Sequence, residues 1–118
     1  MLKILMPDAT IQVRFFLPEE GGRKNSIEIE WVPGRQTGYG CPMRINNAYF
    51  DFRAIITGNT KYVLGETYVI NVKFLSPDLV LPLLHVGMKI ELWEGKTIGN
   101  GFIVNIFSVK KPMFESDQ

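Results

Sequence analysis

The sequence predicts an all-β domain, and three observations carry that prediction. Apolar and polar residues alternate in several stretches, which is the period of a strand with one buried face. Gly and Pro residues separate these stretches at intervals of about 8 to 12 residues, as in antiparallel barrels and sandwiches. Gly99 and Gly101 lie two residues apart in one strand, where they let another backbone approach or the strand bend. We favour a barrel over an immunoglobulin-like sandwich because this glycine pair suits a sharply coiled strand.

The predicted strands follow one another along the chain, with a turn after each. The first strand ends at a polar turn rich in glutamate and glycine, and the second ends at Pro33-Gly34. The last hairpin turns at Glu94-Gly95 and continues into the strand that holds the glycine pair. The predicted strands span residues 10–17, 26–32, 48–56, 67–75 and 89–93, with 79–84 as a short buried segment and no helix.

A glycine-rich stretch from Gly38 to Pro42 interrupts this alternation. Its glycines permit backbone angles that other residues avoid, and proline is common in turns. We therefore predict a loop over residues 38–42.

Length, charge and cysteine content limit the classes of protein to consider. The 118 residues fit one domain, with residues 1–9 and 108–118 as tails. A net charge of +1 is too balanced to indicate a polyphosphate-binding surface from charge alone. Cys41 is the only cysteine, so an intramolecular disulfide is excluded and a cytoplasmic location is expected. No apolar run approaches the roughly 20 residues of a membrane-spanning helix, so we expect no membrane association.

Several short motifs, in their order and spacing, resemble the C-terminal barrel domain of elongation factor Tu over about residues 12–107. The resemblance implies a closed six-stranded antiparallel β-barrel, present here as a free-standing domain. These motifs are Glu19-Glu20-Gly21-Gly22-Arg23, Gly38-Tyr39 with Pro42, Phe50-Asp51-Phe52-Arg53, Thr57-Gly58, Gly65-Glu66, Ser76-Pro77 and the stretch from Glu94 to Gly101.

One loop departs from the family's pattern and is the predicted site for a protein partner. Gly40-Cys41 precede Pro42 where the family has an arginine, and residues 44–48 are additional. Tyrosine and arginine are favoured at the centres of protein interfaces. The expected partner-binding residues in and around this rebuilt loop are Tyr39, Arg44, Tyr49 and Arg35.

The resemblance also implies a second site, because the family's barrel contacts the stem of aminoacyl-tRNA. The matching positions are Arg23, Thr57, Glu94 and Gly95. An arginine can bind a phosphate through two donors, and a turn glycine exposes a backbone N–H to one. The same residues are also what the turns of a barrel need, so both interpretations stay open. The sequence lacks a Gly-x-x-x-x-Gly-Lys-Ser/Thr loop, and we expect no bound nucleotide or other cofactor.

The sequence contains no motif that is typical of a catalytic site. His85 is the only histidine and cannot by itself complete a multi-histidine metal site, so no metal is expected. Cys41 could be a nucleophile with His85 as its base, but no local motif supports the pair. The paired carboxylates Glu19-Glu20 suit a solvated turn better than a glycosidase site.

Two functions therefore remain, and neither is enzymatic. The first is a small cytoplasmic protein-binding module, with a bacterial toxin or a translation factor as the partner; in the toxin case it would be an immunity protein. The alternative is an RNA-binding module that grips a tRNA-like stem.

Overall fold

The computed structural model describes residues 5–107, which form eight strands, one short α-helix and two 3₁₀ turns, the first of them over Pro18–Glu20. The strands contain the predicted alternation, with buried side chains on one face and exposed side chains on the other. The strands are β1 (Ala9–Phe15), β2 (Ile27–Ile29), β3 (Thr37–Ile45), β4 (Ala48–Ile55), β5 (Thr60–Tyr62), β6 (Thr67–Phe74), β7 (Lys89–Trp93) and β8 (Thr97–Ile106).

Six of these strands close into an antiparallel barrel in the order β1, β6, β4, β3, β7, β8, and β8 returns to β1. The predicted closed six-stranded barrel is confirmed. Strands β2 and β5 pair separately as a small antiparallel sheet. Their buried residues Ile27 and Tyr62 extend the barrel core, and the Tyr62 ring stacks on Phe15 with centroids 5.4 Å apart.

The glycine pair of β8 lies where the barrel closes against β1. Gly99 pairs with Phe15 and Gly101 pairs with Val13, so both glycines face the inside of the barrel. A Cβ on Gly99 would lie 2.7 Å from the carbonyl oxygen of Arg14, and one on Gly101 would overlap the carbonyl oxygen of Gln12. The predicted close approach of another backbone is confirmed, because β1 occupies the space that side chains would need.

The loop predicted over residues 38–42 is wrong, since these residues belong to β3. Gly40 pairs with Arg53 of β4, and a Cβ on Gly40 would lie 2.5 Å from the Phe52 carbonyl oxygen. The glycines thus permit tight strand packing rather than a turn. Residues 44–48 form the end of a hairpin, because β3 runs to Ile45 and β4 begins at Ala48.

The segment 79–84 is also different from its prediction. It forms a helical turn, α1 (Pro77–Val80), followed by a 3₁₀ turn over Leu81–Leu83. Proline is well tolerated at the start of a helix, and Pro77 and Pro82 each take such a position. Val80 is fully buried, Leu81 and Leu84 pack against the core, and Leu79 and Leu83 are exposed, so only part of the segment is buried.

The N-terminal tail is shorter than predicted, because Asp8 and Ala9 already belong to the folded domain. The Asp8 carboxylate is buried, accepts the Phe74 backbone N–H at 2.9 Å and pairs with Lys73 Nζ at 3.1 Å. A buried carboxylate needs such partners, and here they fix the start of β1 to the end of β6. The tail predicted over residues 108–118 lies outside the described residues.

Candidate functional site

The four residues predicted to bind a protein partner occupy different places around the barrel. Arg44 and Tyr49 lie directly opposite each other on β3 and β4, and both face outward. Tyr39 faces inward, and Arg35 precedes β3 at the end of the strand remote from Arg44. The structure therefore brings two of the four residues together.

Tyr39 is a residue of the barrel core. Its ring packs against Phe15, Phe52 and Tyr62, and only 9% of the residue is exposed. The hydroxyl donates a hydrogen bond to the Glu94 carboxylate at the edge of the core. Burial raises the pKa of Tyr39 well above its ordinary value, so the phenol stays protonated. We therefore assign Tyr39 to the support of the wall rather than to contact with a partner.

Arg35 also serves the local fold. Its side chain donates hydrogen bonds to the backbone carbonyls of Thr37 at 3.0 Å and Glu30 at 3.3 Å. The Trp31 indole N–H in turn donates to the Arg35 carbonyl at 2.9 Å. These contacts hold the connection between β2 and β3.

Tyr49 and Arg44 belong to a group of four outward side chains that we call the Tyr49 face: Tyr49, Trp93, Arg44 and Glu91. Tyr49 is 49% exposed, and its ring centroid lies 5.2 Å from that of Trp93. Beside the rings, Arg44 Nη1 donates to Glu91 Oε1 at 3.1 Å. Arg44 Nη2 also contacts Asn47 Oδ1 at 3.3 Å, so the guanidinium is held from two sides.

The strand register places these four side chains together. Arg44 pairs with Tyr49 on one side and with Glu91 on the other, since β3 lies between β4 and β7. The hairpin turn at Asn46-Asn47 fixes this register, and Asn46 adopts the left-handed conformation with φ 58°. Asparagine tolerates that conformation better than most residues, so the local sequence favours this turn.

The residues predicted to bind RNA are partly engaged with one another. Arg23 Nη1 lies 3.5 Å from Glu94 Oε2, the carboxylate that also accepts the Tyr39 hydroxyl. Gly95 lies in the turn between β7 and β8 with φ 77°, where glycine is favoured. Thr57 is exposed between β4 and β5, and its side chain makes no hydrogen bond within residues 5–107. Arg23, the cation that would bind a phosphate, is thus already paired with the Glu94 carboxylate.

The two residues considered for catalysis differ in exposure. Cys41 is buried beneath the barrel wall, and burial raises the pKa of its thiol to about 11. A thiol with that pKa stays protonated at neutral pH and is a poor nucleophile. His85 is exposed in the turn before β7, where a ring nitrogen lies 3.4 Å from the Val86 carbonyl oxygen.

Residues 5–107 contain no cluster of three His, Cys, Asp or Glu side chains that could hold a metal ion. Within the same range, no helix combines the length and the apolar character needed to span a bilayer.

No protein-family model and no curated protein matches this sequence. The resemblance to the barrel domain of elongation factor Tu therefore stays a prediction, and the closed barrel does not identify that family. The outward-facing side chains of the barrel strands are therefore the features that bear on function.

Sequence reasoning counted Trp93 among the aromatic residues that could anchor an interface, but it did not place Trp93 beside Tyr49 or Glu91 beside Arg44. Alternation along β7 does predict which of its residues face outward. It does not predict that β7 lies next to β3, because these strands are not consecutive in the chain and their pairing is set by barrel closure. The contact between Arg44 and Glu91 therefore depends on the tertiary structure and is not predicted by the local sequence.

Proposed function

We propose that this protein is a non-enzymatic protein-binding module whose barrel presents the Tyr49 face to a partner protein. One observation carries the proposal: the half-exposed Tyr49 ring packs on Trp93 directly beside the Arg44 and Glu91 ion pair. Tyr, Trp and Arg are the residues most enriched among those that dominate binding energy at protein interfaces. Here all three occur side by side on adjoining strands.

The stability of the barrel does not depend much on the ion pair of the Tyr49 face. Both side chains of the Arg44 and Glu91 pair are more than a third exposed, and such surface pairs contribute at most about 1 kcal/mol to stability. Their mutual contacts do restrict them before a partner arrives. A preorganised surface loses less side-chain entropy on binding, which favours affinity.

The buried cysteine supports a function without catalysis. Its raised pKa and its position beneath the wall remove the strongest nucleophile of the chain from solvent. The outer wall, by contrast, is directly accessible to a large partner. Whether that partner is a bacterial toxin or a translation factor stays a prediction.

Affinity capture with matched variants tests the proposal. The full chain is used as bait in an extract of its source organism, and the captured protein is purified and titrated by calorimetry. We expect Tyr49→Ala to weaken that complex by about tenfold or more, as for a residue central to an interface. Val63→Ala is the control, because Val63 is also an exposed apolar residue but follows β5, which is outside the barrel.

Equal affinities of Tyr49→Ala and the wild-type protein for the captured partner would contradict the proposal. So would the recovery of RNA without any protein, which would favour the tRNA-like alternative. Thermal melting of both variants shows whether a loss of binding comes from loss of the fold.

A further inference from the structure

A groove of about 400 Å³ crosses the outside of β1, β8 and β7 and reaches Thr67 at the start of β6. It runs across the strands, between two rows of outward side chains that the register places side by side. Backbone of the inward-facing residues between the rows forms the floor. One row consists of Arg14, Asn100 and Glu91, and the other consists of Gln12, Phe102 and Lys89.

Four polar side chains of this groove lack partners within the described part of the chain. Lys89, Gln12, Asn100 and Thr67 make no side-chain hydrogen bond or ion pair there. The ammonium of Lys89 offers three donors, and each amide offers two donors and an acceptor. The groove therefore presents a set of hydrogen-bonding groups that a ligand could satisfy.

The groove continues toward the Tyr49 face. A second groove of about 250 Å³ is lined by Arg44 and Asn46 and shares Lys89 and Glu91 with the first. The two grooves thus form one trough along the wall, which we call the Lys89 trough. It leads from Arg14 on β1 to Arg44 on β3, where the Tyr49 face begins.

Charge in the Lys89 trough is unevenly distributed. Three cationic side chains, Arg14, Lys89 and Arg44, line it together with one carboxylate, Glu91. Glu91 already pairs with Arg44, and Arg14 pairs with Glu20 at 3.1 Å outside the lining. Lys89 is left as the cation of the trough that makes no ion pair among residues 5–107. The trough thus complements a negative charge placed near Lys89.

We propose that the Lys89 trough binds an extended acidic peptide segment of the partner protein. A carboxylate of that segment pairs with Lys89, its backbone amides bond to Gln12 and Asn100, and an apolar side chain packs on the exposed Phe102 ring. Amide side chains suit a peptide backbone because both groups offer a donor and an acceptor. This inference rests on the proposed protein-binding function and adds the chemistry of the partner.

A nucleic acid fits the Lys89 trough less well than a peptide. The Glu91 carboxylate stands in the middle of the trough, where a continuous phosphate backbone would pass close to it. Like charges that close destabilise a complex, whereas an acidic peptide can limit its charge here to the one carboxylate that pairs with Lys89 and place neutral residues along the rest of the trough. The trough also offers an apolar wall at Phe102, which a peptide side chain can cover.

Selection from a random peptide library tests the inference without a known partner. Peptides of about 12 residues are long enough to cross the trough, since an extended residue spans about 3.3 Å. They are displayed on phage, selected on the full chain and titrated by fluorescence anisotropy. We expect the selected peptides to be enriched in Asp and Glu. We also expect Lys89→Glu to lower their affinity for the protein by about tenfold or more. Lys24→Glu is the matched control, because Lys24 is exposed, lies outside the trough and changes the net charge equally.

The possible results separate this inference from the proposed function. Selected peptides without acidic enrichment, an unchanged affinity of Lys89→Glu, or a library that yields no binder would overturn the inference. In each case Tyr49→Ala in the capture experiment still decides whether the protein is a binding module. Tighter binding of a poly(U) oligonucleotide than of the acidic peptides, lost in Lys89→Glu, would also overturn it and assign the trough to RNA.

Discussion

Two places in the barrel wall are closed in different ways: the seam between β1 and β8 and the junction between β3 and β7. At the seam the whole of β1 pairs with β8, and the backbones approach so closely that only glycine fits at position 101. At the junction the register pairs are Met43 with Leu92 and Arg44 with Glu91. The first pair is fully buried, and the second is on the outside.

The seam and the junction therefore differ in how freely their outward side chains can be replaced. The seam is held by the backbone, so its sequence is restricted by the space between strands. The junction has a backbone ladder of two register pairs, its inner side chains are buried in the core, and its outer ion pair contributes little to stability. The Tyr49 face lies at this junction, where outward residues can change without loss of the barrel.

The largest effect is expected at the seam. In Gly101→Val the new side chain would enter space that the Gln12 carbonyl and the Val13 Cα already occupy. We expect this variant not to fold, since backbone on both sides prevents the relaxation that overpacked cores normally allow. Circular dichroism and thermal melting measure this directly.

Gly58→Val is the control for that substitution. A Cβ on Gly58 meets nothing within 4 Å, and we expect a change in unfolding free energy within about 0.5 kcal/mol. A stable Gly101→Val barrel would show that the seam is not limited by backbone contact.

A smaller loss is expected from the inside of the junction. Met43→Ala removes a fully buried side chain that faces Leu92, and leaves a cavity. We expect the unfolding free energy to fall by about 2 to 5 kcal/mol, measured by urea denaturation. A loss below about 1 kcal/mol would mean that the buried side chains contribute little to the stability of this junction.

The smallest effect on stability is expected at Glu20, which lies outside the seam. The Leu17 backbone N–H, and then Arg14, lower the pKa of the Glu20 carboxyl below its ordinary value. The ionised carboxylate therefore stabilises the fold above the ordinary pKa, and this contribution is lost as pH falls through the lowered pKa. The melting temperature of Glu20→Gln should fall slightly less at acid pH than that of the wild-type protein. Identical pH profiles would show that these contacts have no effect on stability.

The sequence allowed most of the barrel to be predicted, because alternation and turns are local signals. The strand from Thr67 to Phe74 and the hairpin from Lys89 were found within one residue of their bounds. Strand β3 was missed because Gly38, Gly40 and Pro42 normally interrupt strands, whereas here the glycines make room for β4. Arg44 and Tyr49 were predicted, but their contacts with Glu91 and Trp93 depend on strands that are distant in sequence.

Hydrogen exchange measured by mass spectrometry on the complex with the captured partner tests the central claim most directly. We expect added protection in the peptides that cover residues 43–50 and 89–93, where the Tyr49 face lies, and unchanged exchange in β2 and β5. Protection confined to β2 and β5, with the exchange of residues 43–50 and 89–93 unaltered by the partner, would contradict the account.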